Sequence, residues 1–219
     1  MGWFCRCSPN GVHVVYSQQA EKSCGIACII MINFKMKKWQ MATAVAAVPV
    51  GGIPSLPVAA SAIQSAVKSE EQVDAAYSKV TGRPYRGTTD TDATILPKVL
   101  NQLDIGKWVG RYVPANKVAD TIIGRPFADT PCIALVHWRA DGAGHFVVCD
   151  NVVRNGASRS ADFCDPWDGA VRTVPLHWGR SIVYQVKDQP DILDFGQPHK
   201  KYGSSSTADM DGWLVYRNG

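Results

Sequence analysis

The sequence lacks an uninterrupted apolar run of the roughly 20 residues that a membrane-spanning helix needs. Its most apolar stretch, residues 41–67, is almost uncharged, but it is interrupted by Pro49, Gly51, Gly52, Pro54 and Pro57. We interpret this stretch as an insertion made of a short helix, a Gly/Pro turn and a second helix from about Val58. A membrane span is one alternative, and a flap over a cleft or a partner-docking surface is another. We expect no stable membrane insertion.

Charged side chains are also scarce, because Asp, Glu, Lys and Arg make up only 19% of the 219 residues and the net charge is +4. Basic clusters interleaved with aromatic residues, which are typical of nucleic-acid-binding surfaces, do not occur. The 46% hydrophobic content is enough to bury a substantial core. We therefore predict a single domain over residues 1–219 and no nucleic-acid partner.

The seven cysteines lack the regular spacing of a disulfide framework. Because seven is odd, at least one thiol is unpaired in a monomer. The pattern fits a reducing compartment, where buried thiols behave as small apolar groups. We predict a flexible N-terminal tail over residues 1–11, with a metal-binding or redox pair at Cys5 and Cys7 as the alternative. This tail has no long apolar core, so we expect synthesis in the cytoplasm without a classical signal peptide.

The most informative stretch runs from Gln18 to Cys28. Within it, Cys24 is followed by Gly25 and an apolar run that predicts a helix. A cysteine at a helix N-terminus faces unpaired backbone N–H groups and the positive end of the helix dipole, and both favour the thiolate. Gln18 lies six residues upstream and can place its side-chain amide beside that thiolate as an oxyanion donor. Gln19 is the weaker candidate for this role.

A base and a carboxylate follow downstream. His145 begins a predicted strand after the Gly-rich turn at 142–144, and Asp165 ends another short strand immediately before Pro166. Two adjacent antiparallel strands would bring these side chains together. The carboxylate would then accept a hydrogen bond from the imidazole and fix its tautomer. The pattern predicts Cys24 as nucleophile, His145 as acid and base, and Asp165 as the orienting group.

Each of these roles has a rival in the sequence. Asp150 and Asp168 are the rival carboxylates, but Asp150 lies on the opposite strand face from His145 by period-two alternation. Asp168 lies beyond the proline. His137, at the end of a predicted strand, is the rival base. Trp167 is expected either to shield the His–Asp hydrogen bond from water or to pack in the core.

Helical patterns dominate the first half of the chain and strand patterns dominate the second half. The predicted helices span 24–38, 70–80, 91–103 and 115–123. The predicted strands span 12–16, 108–113, 131–138, 145–153, 160–164, 170–174, 181–186 and 213–216, the last of them at a sheet edge. Residues 188–209 are polar and turn-rich, so we expect a surface excursion there. This order of elements predicts an α+β fold.

These motifs resemble the papain-like superfamily of cysteine peptidases. The residues that carry the resemblance are Gln18, Cys24-Gly25, Gly144-His145 and Asp165-Pro166. The closest pattern is that of the bacterial branch of bacteriocin-leader peptidases, which cleave after double-glycine leaders. That branch has Asp where this chain has Ser23. In papain itself a Trp follows the catalytic Cys and an Asn orients the His. The similarity covers roughly residues 14–175.

The resemblance implies a papain-like fold, with the nucleophile helix in a helical N-terminal part that packs on a C-terminal antiparallel sheet. It implies hydrolysis of a protein or peptide substrate by Cys24, His145 and Asp165, with Gln18 in the oxyanion hole and no cofactor or metal. By analogy with single-domain bacterial proteins of this type, we expect an effector or toxin exported by a specialised secretion system. An inhibitor or immunity protein would then be a partner.

Two other classes of function compete with the peptidase. A cell-wall amidase, a deamidase or a transglutaminase-like acyltransferase would use the same triad on a different substrate or acyl acceptor. A binding module without catalysis, or a Cys/His metal protein, would not use the triad at all.

Overall fold

A computed structural model describes residues 2–46, 68–85, 90–124, 130–186, 202 and 206–218 of the chain. Its helices are α1 (Cys24–Ala46), α2 (Glu70–Thr81), α3 (Leu96–Gln102) and α4 (Val118–Gly124), with a 3-10 turn at Ala115–Lys117. Its strands are β1 (Trp3–Ser8), β2 (Gly11–Tyr16), β3 (Trp108–Tyr112), β4 (Cys132–Trp138), β5 (Gly144–Asn155), β6 (Ser158–Cys164), β7 (Val171–Pro175), β8 (Val183–Val186) and β9 (Ser206–Arg217). The predicted α+β class is confirmed.

Seven strands form one antiparallel sheet in the order β3-β9-β4-β5-β6-β7, and β8 pairs with β9 outside this path. The long C-terminal strand β9 lies between β3 and β4. The prediction of an edge strand at 213–216 is therefore wrong. Strand β9 also begins at Ser206, so the end of the predicted excursion at 188–209 belongs to the sheet. Sequence periodicity reveals that a strand exists but not which distant strand it pairs with.

Local signals explain where the helices begin and end. At α2, Ser69 and Gln72 form a capping box, and Gly82 ends the helix in the left-handed conformation with a φ of 70°. Helix α3 is shorter than the predicted span of 91–103. The Asp92 side chain accepts hydrogen bonds from the N–H and hydroxyl of Thr94, which favours a turn before the helix. Pro97 lies in the first turn of α3, where proline is tolerated.

Both faces of the main sheet are covered. On one face α1 packs against β5, and every residue from Ile26 to Ile32 is buried. A helix that is apolar on all sides belongs in a core. The opposite face buries Val147, Phe163 and Tyr184 together with Ile122 of α4. Strand β5 therefore has a helix-facing side and a second buried side, and a side chain at its start can reach the N-terminus of α1.

The predicted flexible tail over residues 1–11 is wrong for most of its length. Residues 3–8 form β1, which pairs with β2 in a separate hairpin. The hairpin is tied to the main sheet by Arg6, whose Nε donates to the carbonyl oxygen of Gly169 at 2.9 Å. This strand is difficult to predict from the sequence, because the segment around Cys5 and Cys7 is short and resembles a tail.

A buried polar network also holds the hairpin to the sheet. His13 of β2 lies with its Nδ1 2.7 Å from Oδ2 of Asp150, and the Nζ of Lys35 lies 2.7 Å from the same oxygen. Burial lowers the pKa of His13, but hydrogen bonds to Asp150 and Asp162 outweigh it and raise that pKa to about 9. Burial works against the Asp150 carboxylate too, yet His13 and Lys35 lower its pKa to about 2.

The raised pKa of His13 predicts a pH-dependent contribution to stability. A group whose folded-state pKa is raised stabilises fully below its unfolded pKa of 6.5 and loses that contribution as pH rises through about 9. We expect the stability gap between wild type and His13→Gln, measured by urea unfolding, to shrink by up to about 3 kcal/mol between about pH 5.5 and pH 10. A gap that does not change with pH would contradict this role.

The interrupted apolar stretch is described only in part. Residues 41–46 are the end of α1, and the predicted turn and second helix at 47–67 lie outside the described residues. In the part of the chain that the structure describes, no helix is long and apolar enough to cross a membrane. The predicted excursion lies outside the described residues as well, apart from Tyr202 and the start of β9.

Candidate active site

Cys24 is the first residue of α1, as the sequence predicts. It is partly exposed, whereas Cys28, one turn further along the helix, is buried. Burial alone would raise the pKa of the Cys24 thiol, but a hydrogen bond with His145 and the charge of that imidazole lower it below its usual value. The backbone N–H groups of Phe146 and Gly25 donate to the sulfur and lower the pKa further. These contacts favour the nucleophilic thiolate.

His145 and Asp165 lie together at the ends of neighbouring strands. The Nε2 of His145 is 2.8 Å from Oδ1 of Asp165, and both side chains are buried. Because this bond occupies Nε2, the other ring nitrogen, Nδ1, is left for the hydrogen bond to Cys24. Burial alone would lower the pKa of His145, but the charge and hydrogen bond of Asp165 raise it to about 10. The imidazole is therefore protonated at neutral pH.

Asp165 accepts hydrogen bonds on both of its oxygens. Its Oδ1 also accepts the backbone N–H of Trp167 at 2.9 Å. Its Oδ2 accepts the hydroxyl of Tyr184 at 2.7 Å, a guanidinium N–H of Arg172 at 3.1 Å and the hydroxyl of Tyr202 at 3.2 Å. Burial would raise the pKa of this carboxyl, but the imidazolium charge and the guanidinium hold it well below its usual range. Asp165 is thus a fixed anion.

The loop that follows β6 sets the position of this carboxylate. The backbone N–H of Asp165 donates to the carbonyl of Ala170 at 2.9 Å, and the N–H of Gly169 donates to the carbonyl of Asp165 at 3.0 Å. The N–H of Gln18 donates to the carbonyl of Pro166 at 2.7 Å. This last bond joins the segment before the nucleophile to the loop that carries the carboxylate, so the two halves of the site are fixed relative to each other.

Gln18 is buried, but its amide is already engaged. Its Nε2 donates to the carbonyl oxygens of Ala20 and Glu21 at 2.9 and 2.8 Å. Both N–H groups of the amide are therefore used, and an oxyanion role for Gln18 would require one of these bonds to break. Gln19, the weaker candidate, is exposed and donates to the hydroxyl of Tyr16 at 3.0 Å.

The rival residues have other partners. Asp150 binds His13 of β2 and Lys35 of α1. Asp168 binds Arg172. The Nδ1 of His137 lies 3.0 Å from Asp211 in a pair open to solvent. The structure therefore brings together the predicted Cys24, His145 and Asp165. Asp150 and His137 lie in separate pairs, and Asp168 is linked to Asp165 only through their shared partner Arg172.

Aromatic rings cover the His–Asp pair. Trp138 of β4 stacks on His145 with ring centroids 6.1 Å apart and planes inclined by 24°. Tyr202 bridges Trp138 and Trp167, with centroid distances of 5.3 and 6.0 Å. A low-polarity cover strengthens the electrostatic interactions beneath it. Trp138 stacks directly on the imidazole, although the sequence gives no signal for this contact. Trp167 joins the aromatic cover through Tyr202.

The buried network around Asp150 contains a potential set of metal ligands. One atom each from His13, Asp150 and Cys164 lies within 4.8 Å of the others. However, the ammonium group of Lys35 already supplies a positive charge 2.7 Å from the Asp150 oxygen. Burial raises the pKa of Cys164 to about 12, so its sulfur is a thiol, whereas metals bind the thiolate. These residues fit an internal ion pair better than a metal.

No protein-family model and no curated protein sequence matches this chain. The chemistry of the site is therefore argued from its own residues.

Gly25 allows the nucleophile to lie close to a neighbouring loop. A Cβ atom at this position would lie 2.2 Å from Oγ1 and 2.8 Å from Cβ of Thr91. We expect Gly25→Ala to lower the free energy of unfolding by about 1–3 kcal/mol and to slow alkylation of Cys24. The control is Gly124→Ala, because a Cβ at Gly124 would meet nothing within 4 Å. If Gly25→Ala were as stable and as reactive as this control, the close packing would be unimportant.

Proposed function

We propose that the protein is a papain-like cysteine peptidase that hydrolyses peptide bonds through an acyl-enzyme intermediate. The observation that carries the proposal is the buried hydrogen-bonded chain from Cys24 through His145 to Asp165. One ring nitrogen of His145 binds the carboxylate of Asp165, and the other can bind the sulfur of Cys24. Nucleophilic catalysis needs this arrangement. The substrate class proposed is a protein or peptide.

The residues support a complete hydrolytic cycle. The Cys24 thiolate would attack the scissile carbonyl carbon, and the negative charge would move to the carbonyl oxygen. Backbone N–H groups at the start of α1 would donate hydrogen bonds to this oxyanion, and one such donor is commonly worth about 3 kcal/mol. Protonated His145 would give its proton to the leaving amine. A water molecule, deprotonated by His145, would then attack the thioester, release the acyl group as a carboxylic acid and restore the pair of Cys24 thiolate and protonated His145.

The arrangement of helix α1 and strands β5 and β6 supports the proposed likeness to papain-like peptidases. Cys24 begins a buried helix that packs against β5, the strand that carries His145, and Asp165 directly follows the adjacent antiparallel strand β6. Ser23, where the leader-peptidase branch has Asp, uses its hydroxyl to bind the backbone of Ala20. The residue at this position therefore shapes the loop before the nucleophile here and does not extend the triad.

Activity measurements on triad variants test this proposal. Cys24→Ala, His145→Ala and Asp165→Asn would be assayed against a peptide library, with peptidoglycan as a parallel substrate. We expect the first two changes to lower kcat/KM for peptides by at least about 10³-fold, and Asp165→Asn by about 10²- to 10⁴-fold. Cys28→Ala is the matched control, because Cys28 is buried on the same helix outside the chain of hydrogen bonds.

The outcomes separate the competing functions. Loss of peptide cleavage in the triad variants but not in Cys28→Ala supports the peptidase. Loss confined to peptidoglycan would favour the amidase instead. Full activity of Cys24→Ala on both substrates would rule out both enzymes.

A further inference from the structure

Arg172 is a buried cation in the interior of the protein, at the second position of β7. Burying a charge is costly unless it is paired and hydrogen-bonded. Its guanidinium meets both conditions, since it lies 3.1 Å from Oδ2 of Asp165 and also binds both oxygens of Asp168. It also lies over the rings of Tyr184 and Tyr202, at 5.7 and 5.5 Å from their centroids. These contacts fix the position of its two terminal nitrogens.

The surroundings of Asp165 leave its carboxylate no freedom to turn. Three donors converge on Oδ2, namely Arg172, Tyr184 and Tyr202. Two more donors, His145 and the N–H of Trp167, converge on Oδ1. A carboxylate has about four lone-pair sites, so five donors saturate it. Rotation about its terminal bond would break several charge-assisted bonds at once.

We propose that Arg172, with Tyr184, is a positioning residue that holds Oδ2 of Asp165 and keeps the carboxylate ionised, so that Oδ1 directs the imidazole of His145 toward Cys24. The inference rests on the proposed function, since it assigns a task within the same site. Arg172 does not touch the reacting atoms and acts only through Asp165.

The charges around Asp165 set the direction of the expected effect. The groups that face it are the imidazolium of His145 from β5, the guanidinium of Arg172 from β7, the phenol of Tyr184 from β8, the phenol of Tyr202 and the carboxyl of Asp168 from its own loop. Removing the guanidinium would leave two buried carboxyls beside each other. Asp165 would then be protonated more readily, the imidazole would be held less firmly, and the Cys24 thiolate would lose stabilisation.

The test is the pH dependence of Cys24 alkylation by iodoacetamide, followed by peptide mass spectrometry. We expect the pH of half-maximal alkylation to rise by about one unit or more in Arg172→Gln and by about half a unit in Tyr184→Phe. Arg154→Gln is the control, because Arg154 lies toward the far end of β5 and donates to the carbonyl of Ile123. Circular dichroism would show which variants fold.

The outcomes distinguish positioning from simple stabilisation. A residue that only stabilised the fold would lower the melting temperature and leave the alkylation midpoint unchanged. Folded Arg172→Gln with the wild-type midpoint would overturn the proposal. Should that variant not fold, an unchanged midpoint in Tyr184→Phe would overturn it equally. If wild-type Cys24 itself reacted like an ordinary thiol, with a midpoint near pH 8.5, the proposed function would fail independently of Arg172.

Discussion

The hydrogen bond between His145 and Asp165 joins the ends of two neighbouring strands where both side chains are almost fully buried. An ion pair in such a place is tolerated only when further hydrogen bonds replace the lost water. Asp165 has these bonds on both oxygens, and His145 has the sulfur of Cys24 as its second partner. The ionisation of Cys24 depends on this pair. A carboxylate that stays ionised keeps the imidazole protonated, and the imidazolium favours the thiolate.

The fold keeps the three groups together although they are far apart in the sequence. The buried helix α1 holds its first residue against the start of β5, and Gly25 allows the close contact with Thr91. The N–H of Gln18 ties the segment before the helix to the loop after β6. Farther from the site, His13, Lys35 and Asp150 connect the hairpin, the helix and the sheet through one carboxylate oxygen. Polar contacts thus fix the positions of the hairpin, helix and strands that apolar packing brings together.

The sequence was sufficient to predict which residues meet but not how they are held. Helix and turn signals located α2 and the N-terminus of α1, and two strand ends with His145 and Asp165 predicted their proximity. Non-local pairing is beyond such signals, so the sequence alone predicts a tail where β1 lies and an edge strand where the end of β9 lies. The same limit applies to Arg172, Tyr184 and Trp138, whose spacing from Asp165 and His145 follows no local period. The orientation of the Gln18 amide depends on carbonyl groups that only the folded loop brings into range.

The most direct test of this account is the ultraviolet absorbance of the thiolate, measured as the difference between wild type and Cys24→Ser across a pH titration. The account predicts that the thiolate signal of Cys24 appears at a lower pH than that of an ordinary thiol, whose pKa is about 8.5. The signal should shift to higher pH in His145→Ala, because the imidazolium that stabilises the anion is then absent. A Cys24 signal that appeared only near pH 8.5 in the wild type, and did not change in His145→Ala, would contradict the account.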